Sequence, residues 1–124
     1  MDDFQDLSVW RRLVVETATG LLRDLGRPLI VPMTVLRPEY FDEIVGGLRG
    51  AGASVHHFCL VAGRDEVMRR ARARGGATEW IERKNDQYAP VLGHDRYAVH
   101  LDASSQDGDA LAAVVAASIG LPLP

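Results

Sequence analysis

With 124 residues, 47% of them hydrophobic and 25% charged, the chain has the composition of a folded globular domain, which excludes a disordered tail, a collagen-like repeat and a disulfide-stapled mini-protein. Its length is that of one domain or part of one, so two full domains are excluded. A net charge of -3 gives no overall attraction to nucleic acid or to an anionic membrane, and any basic site has to be local.

Leu7 to Leu25 places Leu7, Trp10, Val14, Leu21, Leu22 and Leu25 largely at three- and four-residue spacing, and Gly26 and Pro28 close the segment, so a helix is expected. Leu29 to Met33 is a short apolar run between Pro28 and Pro32 that reads as a buried parallel strand. A turn over Thr34 to Pro38 leads into a second helix. Pro38 suits its first turn, Glu39 its dipole, and Tyr40, Phe41, Ile44, Val45 and Leu48 form one stripe. Gly50 to Gly52 stops it, and Val55 to Ala62 is a second expected strand. Asp65 to Arg74 is helical by spacing. Thr78 to Tyr88 is polar around Trp80 and Ile81, a short helix within a mobile, lid-like excursion at about residues 75–93. Tyr97 to Leu101 is a third strand, and a last helix follows through Leu111, Val114, Val115 and Ile119, capped by Asp107 and stopped by Gly120 and Pro122. Single helices alternating with strands predict an α/β layered domain with parallel pairing over residues 1–124. Three short strands make a narrow sheet, and the first helix already needs a sheet to pack on, so part of the domain is expected upstream of Met1.

Ligands of open α/β sheets bind beyond the carboxyl ends of the strands, here Thr34 to Arg37, Gly63 to Asp65 and Asp102 to Asp107. Thr34 offers a hydroxyl and Arg37 a planar cation suited to phosphate or an anionic substrate. The simpler reading is a turn at Thr34 and a surface ion pair at Arg37. Arg64, Arg69, Arg70, Arg72 and Arg74, then Arg83 and Lys84, are the densest positive charge. Arg70 and Arg74 share a helical face, where paired guanidinium groups grip phosphate or stack on a purine. Because Lys84 is the only lysine among 14 cationic residues, compositional bias toward arginine is the competing explanation. Glu66, Glu79, Glu82 and Asp86 interrupt the patch, which argues against a nucleic-acid surface.

Gly46, Gly47, Gly50 and Gly52 follow a helix and precede a strand, the reverse of a phosphate loop, and no G-x-x-x-x-G-K-[ST] occurs. His56 and His57 fall on opposite faces of the expected strand and read as core or interface residues, not as metal ligands. Cys59 has no partner for an internal disulfide and no cationic activator in sequence, so an inert buried thiol is expected. No metal-ligand cluster is visible. No apolar run reaches the roughly 20 residues of a membrane span, and no signal peptide is seen, so the cytoplasm is the expected location.

The strings LIVPMTVLRPEYFDEIVGGLR, VHHFCLVA and RRARAR, with the Trp80 segment and the terminal LPL, resemble the tunicamycin-resistance protein family, which is placed among P-loop kinase-like nucleotide-binding proteins. The resemblance runs from about Asp2 through Pro122 and matches the later two-thirds of the family's domain. It implies a three-layer parallel sheet of P-loop kinase type that is incomplete, with the P-loop strand and its neighbour missing. It implies ATP and Mg²⁺ as cofactors, with their principal ligands outside this chain. Arg37, Arg74 and Arg83 would be catalytic, with Thr34 and Arg37 facing the acceptor or γ-phosphate. Arg70, Ala103, Ser104 and Ser105 would bind nucleotide. Thr34 and Trp80 would bind a small-molecule substrate such as tunicamycin, which carries uridine and sugar groups. Such enzymes act mainly by positioning and positive charge. The implied function is an ATP-binding, kinase-like protein of the tunicamycin-resistance type, in a truncated form without the Walker A motif. The alternative is a non-catalytic nucleotide- or drug-binding module, or an assembly piece whose open sheet edges favour self-association.

Overall fold

Each expected helix forms, whereas one of the three expected strands does not. This computed structural model describes residues 3–97 and 99–122, which fall into two compact units, Met1–Val55 and His56–Pro124.

The first unit holds a 3₁₀ turn, Phe4–Asp6, and two helices, α1 (Ser8–Leu25) and α2 (Pro38–Gly50), packed on each other. Asp3 caps the 3₁₀ turn by accepting from the Gln5 N–H. Gly26 ends α1 in the left-handed region at φ 60°, a conformation that favours glycine, and its N–H donates to the Leu22 carbonyl. Pro38 opens α2 and Glu39 lies in its first turn, as the sequence predicts. The two helices meet closely at Gly47, where an added Cβ would lie 3.1 Å from Val15 Cγ2. Ala18 and Ile44 are buried.

Leu29 to Met33 is not a strand. A strand exists only through its ladder, and among the described residues none pairs with this run; Pro32 also has no N–H to offer. Ile30, Val31 and Met33 are exposed, Ile30 by 84%. The expected three-stranded sheet is accordingly two-stranded among the described residues.

The second unit runs β1 (Phe58–Val61), α3 (Arg64–Arg74), α4 (Thr78–Leu92), a 3₁₀ turn Asp95–Tyr97, β2 (Val99–Asp102) and α5 (Gly108–Ile119). β1 and β2 pair in parallel, with Phe58 opposite Val99 and Val61 opposite Asp102. Both are shorter than their apolar runs suggest. His56 and His57 precede β1 instead of lying in it, and His56 is exposed. Tyr97 lies in the 3₁₀ turn before β2 and is 1% exposed. Met68, Ala71, Tyr88, Leu101, Ala103 and Ala116 are the other buried hydrophobic residues described in this unit. Asp107 caps α5 by accepting from the Ala110 N–H at 2.8 Å, as expected.

α4 is one turn longer than its polar sequence suggests and carries Pro90 in its last turn. Trp80, Lys84 and Tyr88 recur every fourth residue, so they share one face. Lys84 is 7% exposed, with its ammonium 5.8 Å and 5.7 Å from the centres of the Trp80 and Tyr88 rings. The lysine stem continues a stripe that a binary reading of polarity interrupts.

Candidate functional site

The second unit brings several of the expected nucleotide-side residues into direct contact. Arg70, on α3, donates from Nη2 to the Ala103 carbonyl at 2.6 Å and from Nε to Glu66 Oε1 at 2.6 Å. The helix therefore reaches across to the chain just beyond β2. Ala103 is buried, and its own N–H donates to the Val61 carbonyl at 2.7 Å, which extends the parallel ladder by one rung. Ser104 Oγ accepts from the Gly63 N–H at 3.0 Å, joining the ends of the two strands. Asp102 gathers the turn from inside, accepting from the Ser104 N–H at 2.8 Å and the Ser105 hydroxyl at 2.5 Å. Those bonds, that of Ser105 foremost, hold the Asp102 carboxyl below its ordinary value. The result is a short, ordered loop at the carboxyl end of the sheet with a guanidinium fastened beside it. The Arg70 side chain stays 42% exposed, so its plane is fixed on one edge and still reachable.

Arg74 follows Arg70 by one turn of α3 and is exposed. Arg83 is exposed on α4, where it lines an open hollow of about 420 Å³ with Trp80, Thr78, Glu79, Ala77 and Gly76. Arg64, at the start of α3, is spent on α4, bonding Asp86 at 2.7 Å and also Glu82. Its guanidinium holds Asp86 below the usual carboxylate range. Arg69 pairs with Glu66 at 2.7 Å. Of the arginine run, Arg64 and Arg69 thus follow the surface-pair reading, while Arg70 serves the loop after β2. Burial raises the Cys59 thiol above its ordinary value, which fits an inert group.

Thr34 and Arg37 belong to the first unit and stand at the edge of a polar cluster. Gln5, 8% exposed, donates from Nε2 to the Thr34 carbonyl at 2.6 Å. Arg11 donates to the Gln5 carbonyl at 2.5 Å, pairs with Glu43 at 2.5 Å, and lies 4.1 Å from the centre of the Tyr40 ring. The Tyr40 hydroxyl donates to Asp6 Oδ1 at 2.8 Å. Arg37 stands 5.4 Å from the Tyr40 ring centre and 3.6 Å from Asp6 Oδ1. The bond to Asp6, with burial, raises the Tyr40 phenol above its ordinary value. Sequence reasoning found Thr34 and Arg37 but missed Gln5, Asp6, Arg11 and Tyr40. Gln5 and Asp6 lie in a polar stretch with no period, Arg11 falls between the apolar positions of α1, and Tyr40 reads as part of an apolar stripe.

Among the described residues, no group of three or more His, Cys, Asp or Glu side chains could hold a metal ion. No helix there is long and apolar enough to cross a membrane.

No protein-family profile matches the chain, and no curated protein matches it. A solved structure does match: the tunicamycin resistance protein of Deinococcus radiodurans, at a TM-score of 0.80 and 27% identity, over 98% of this chain and 71% of that one. This likeness supports the resemblance to the tunicamycin-resistance protein family carried by the VPMT and PEYF strings.

Proposed function

We propose that the chain acts as an ATP-binding, kinase-like protein of the tunicamycin-resistance type, with tunicamycin as its small-molecule ligand. The observation that carries this reading is the likeness to the Deinococcus radiodurans protein over 98% of the chain. In this reading the second unit serves the nucleotide. Arg70, held by Glu66 and the Ala103 carbonyl, offers a planar cation for stacking on a base beside Ser104 and Ser105. Arg74 and Arg83 supply further charge for the phosphates, with Trp80 beside Arg83 as an apolar surface for substrate. Thr34 and Arg37 serve the acceptor. ATP would bring the transferable phosphoryl group and Mg²⁺ would neutralise its charge. The 124 residues contain no Walker A sequence, and among the described residues no carboxylate cluster is suited to the ion, so this reading needs the phosphate cradle from sequence outside them.

A second reading, a non-catalytic module that binds nucleotide or drug, draws its support from the same missing motif. Calorimetric titration with ATP·Mg²⁺ and with tunicamycin, followed by mass spectrometry of the drug after incubation with both, separates the two. Binding with a phosphorylated product supports the first reading, and binding without product supports the second. Failure of a folded chain to bind either ligand overturns the second reading, and the first falls if a longer chain that carries the phosphate cradle also binds neither.

A further inference from the structure

On α3, charged side chains form a relay that ends at the loop after β2. Arg69 grips Glu66 with two bonds, Nε to Oε2 at 2.8 Å and Nη2 to Oε1 at 2.7 Å. A fork of this kind fixes the plane of a carboxylate as well as its place. Glu66 Oε1 in turn accepts from Arg70 Nε at 2.6 Å, and Arg70 Nη2 donates to the Ala103 carbonyl at 2.6 Å. Those two acceptors, one on α3 and one beyond β2, define the plane of the Arg70 guanidinium. The Glu66 side chain is 23% exposed, Arg70 42% and Arg69 66%. Ion pairs this open add little to a fold, and ordering long side chains opposes them, so stability alone does not account for the relay.

The capacity left on Arg70 points to a ligand. Among the described residues nothing accepts from its Nη1, so that nitrogen keeps both hydrogens beside the flat face of the group. The polar groups around it are already engaged. The Ala103 N–H donates to Val61, the Ala103 carbonyl accepts from Arg70, and the two Asp102 oxygens accept from the Ser104 N–H and the Ser105 hydroxyl. At Ala103 an incoming ring therefore meets a flat cation instead of a free backbone edge. Guanidinium planes stack on aromatic rings, whereas an ammonium group has no plane to offer. A lysine at this position could also satisfy the Ala103 carbonyl, so planarity is the property that the fold does not need.

We propose that Glu66 and Arg69 are positioning residues that hold Arg70 as a stacking plane for the adenine ring of the nucleotide, beside Ala103. The inference rests on the second unit serving the nucleotide. Adenosine is the probe, because it carries the ring without phosphates and so does not call on the phosphate cradle. The test is NMR titration of adenosine into the 124-residue chain and into Glu66→Gln and Arg69→Ala. Ring-current shifts at the Arg70 Nε–H and side-chain methylene protons report stacking, and the amide signals of β1 and β2 report the fold. The expected result is an upfield shift at Arg70 in the parent chain. Adenosine affinity should fall about tenfold in Glu66→Gln, the value of a hydrogen bond to a charged group. In Arg69→Ala it should fall about two- to fivefold, the value of an exposed ion pair, with the β1 and β2 amides unmoved in both variants. Arg69→Ala removes a side chain that is 66% exposed, so it carries the test even where Glu66→Gln does not fold. Stacking that persists undiminished in the folded variants overturns the positioning roles and leaves the nucleotide reading standing. A parent chain without a ring-current shift at Arg70 overturns this proposal, because Arg70 is then only a latch on Ala103. ATP binding by a longer chain that carries the cradle would in that case still uphold the proposed function.

Discussion

At the scale of single residues, Glu66 and Gly47 do work that neither composition nor periodicity reveals. Glu66 accepts from Arg69 and Arg70 at once, and the bond from Arg69 contributes most to lowering its carboxyl from 4.5 to about 2. A depressed carboxyl adds stability that is present above its unfolded value and is lost as pH falls through the folded one. Acidification from pH 4.5 toward 2 should therefore loosen α3 and the loop at Ala103 only at the acid end of that range. Carbon-detected NMR of the Glu66 carboxyl should show a midpoint near 2, and a midpoint near 4.5 would refute the pairing. Gly47 lies close to Val15, so that an added Cβ at 3.1 Å from Val15 Cγ2 needs the valine side chain or a helix to give by a few tenths of an ångström. Gly47→Val should destabilise the chain by about 1–3 kcal/mol in urea unfolding, the range for overpacking. Val15→Ala in the same chain should restore part of the loss. Nothing in the sequence marked Gly47 apart from Gly46, because the distinction lies in which face of α2 meets α1.

Among the elements, helices were legible and strands only partly so, for a physical reason. A helix satisfies its backbone within one segment, so Pro38, Glu39 and the stripe through Ile44 sufficed to place α2, and Asp107 with Gly120 to bound α5. A strand depends on a neighbour, so Leu29 to Met33 reads like Phe58 to Val61 yet only the latter pairs. α4 was under-read because Lys84 interrupts its stripe by letter but not by packing, and because Pro90 fits within its last turn. Two predictions belong here. Asp107→Ala removes the bond to the Ala110 N–H and should destabilise α5 by about 1 kcal/mol, read as a lower denaturation midpoint. Arg64→Ala breaks the ties to Glu82 and Asp86 and should raise hydrogen exchange along α4 more than along α5. Equal change in both helices would count against a specific tie between α3 and α4.

On the scale of the whole molecule, the candidate residues separate by unit. Thr34 and Arg37 lie in Met1–Val55, whereas Arg70, Arg74, Trp80, Arg83, Ala103, Ser104 and Ser105 lie in His56–Pro124. The family strings pointed to both sets, and the structure adds Arg70 to Ala103 in one and Asp6 to Tyr40 in the other. A two-stranded parallel sheet is short of partners, and Leu60 and Val99 are 60% and 49% exposed. Sedimentation velocity should therefore show an average mass that rises with concentration, and a concentration-independent monomer would contradict this expectation.

The burial of Lys84 has a practical consequence. As the chain's only lysine, it holds the only side-chain primary amine, and at 7% exposure that amine is shielded in the folded state. Acylating reagents should modify Lys84 only when α4 opens. The rate of that acylation is a clock for local unfolding of one helix, readable by mass on the unmodified sequence without any introduced probe.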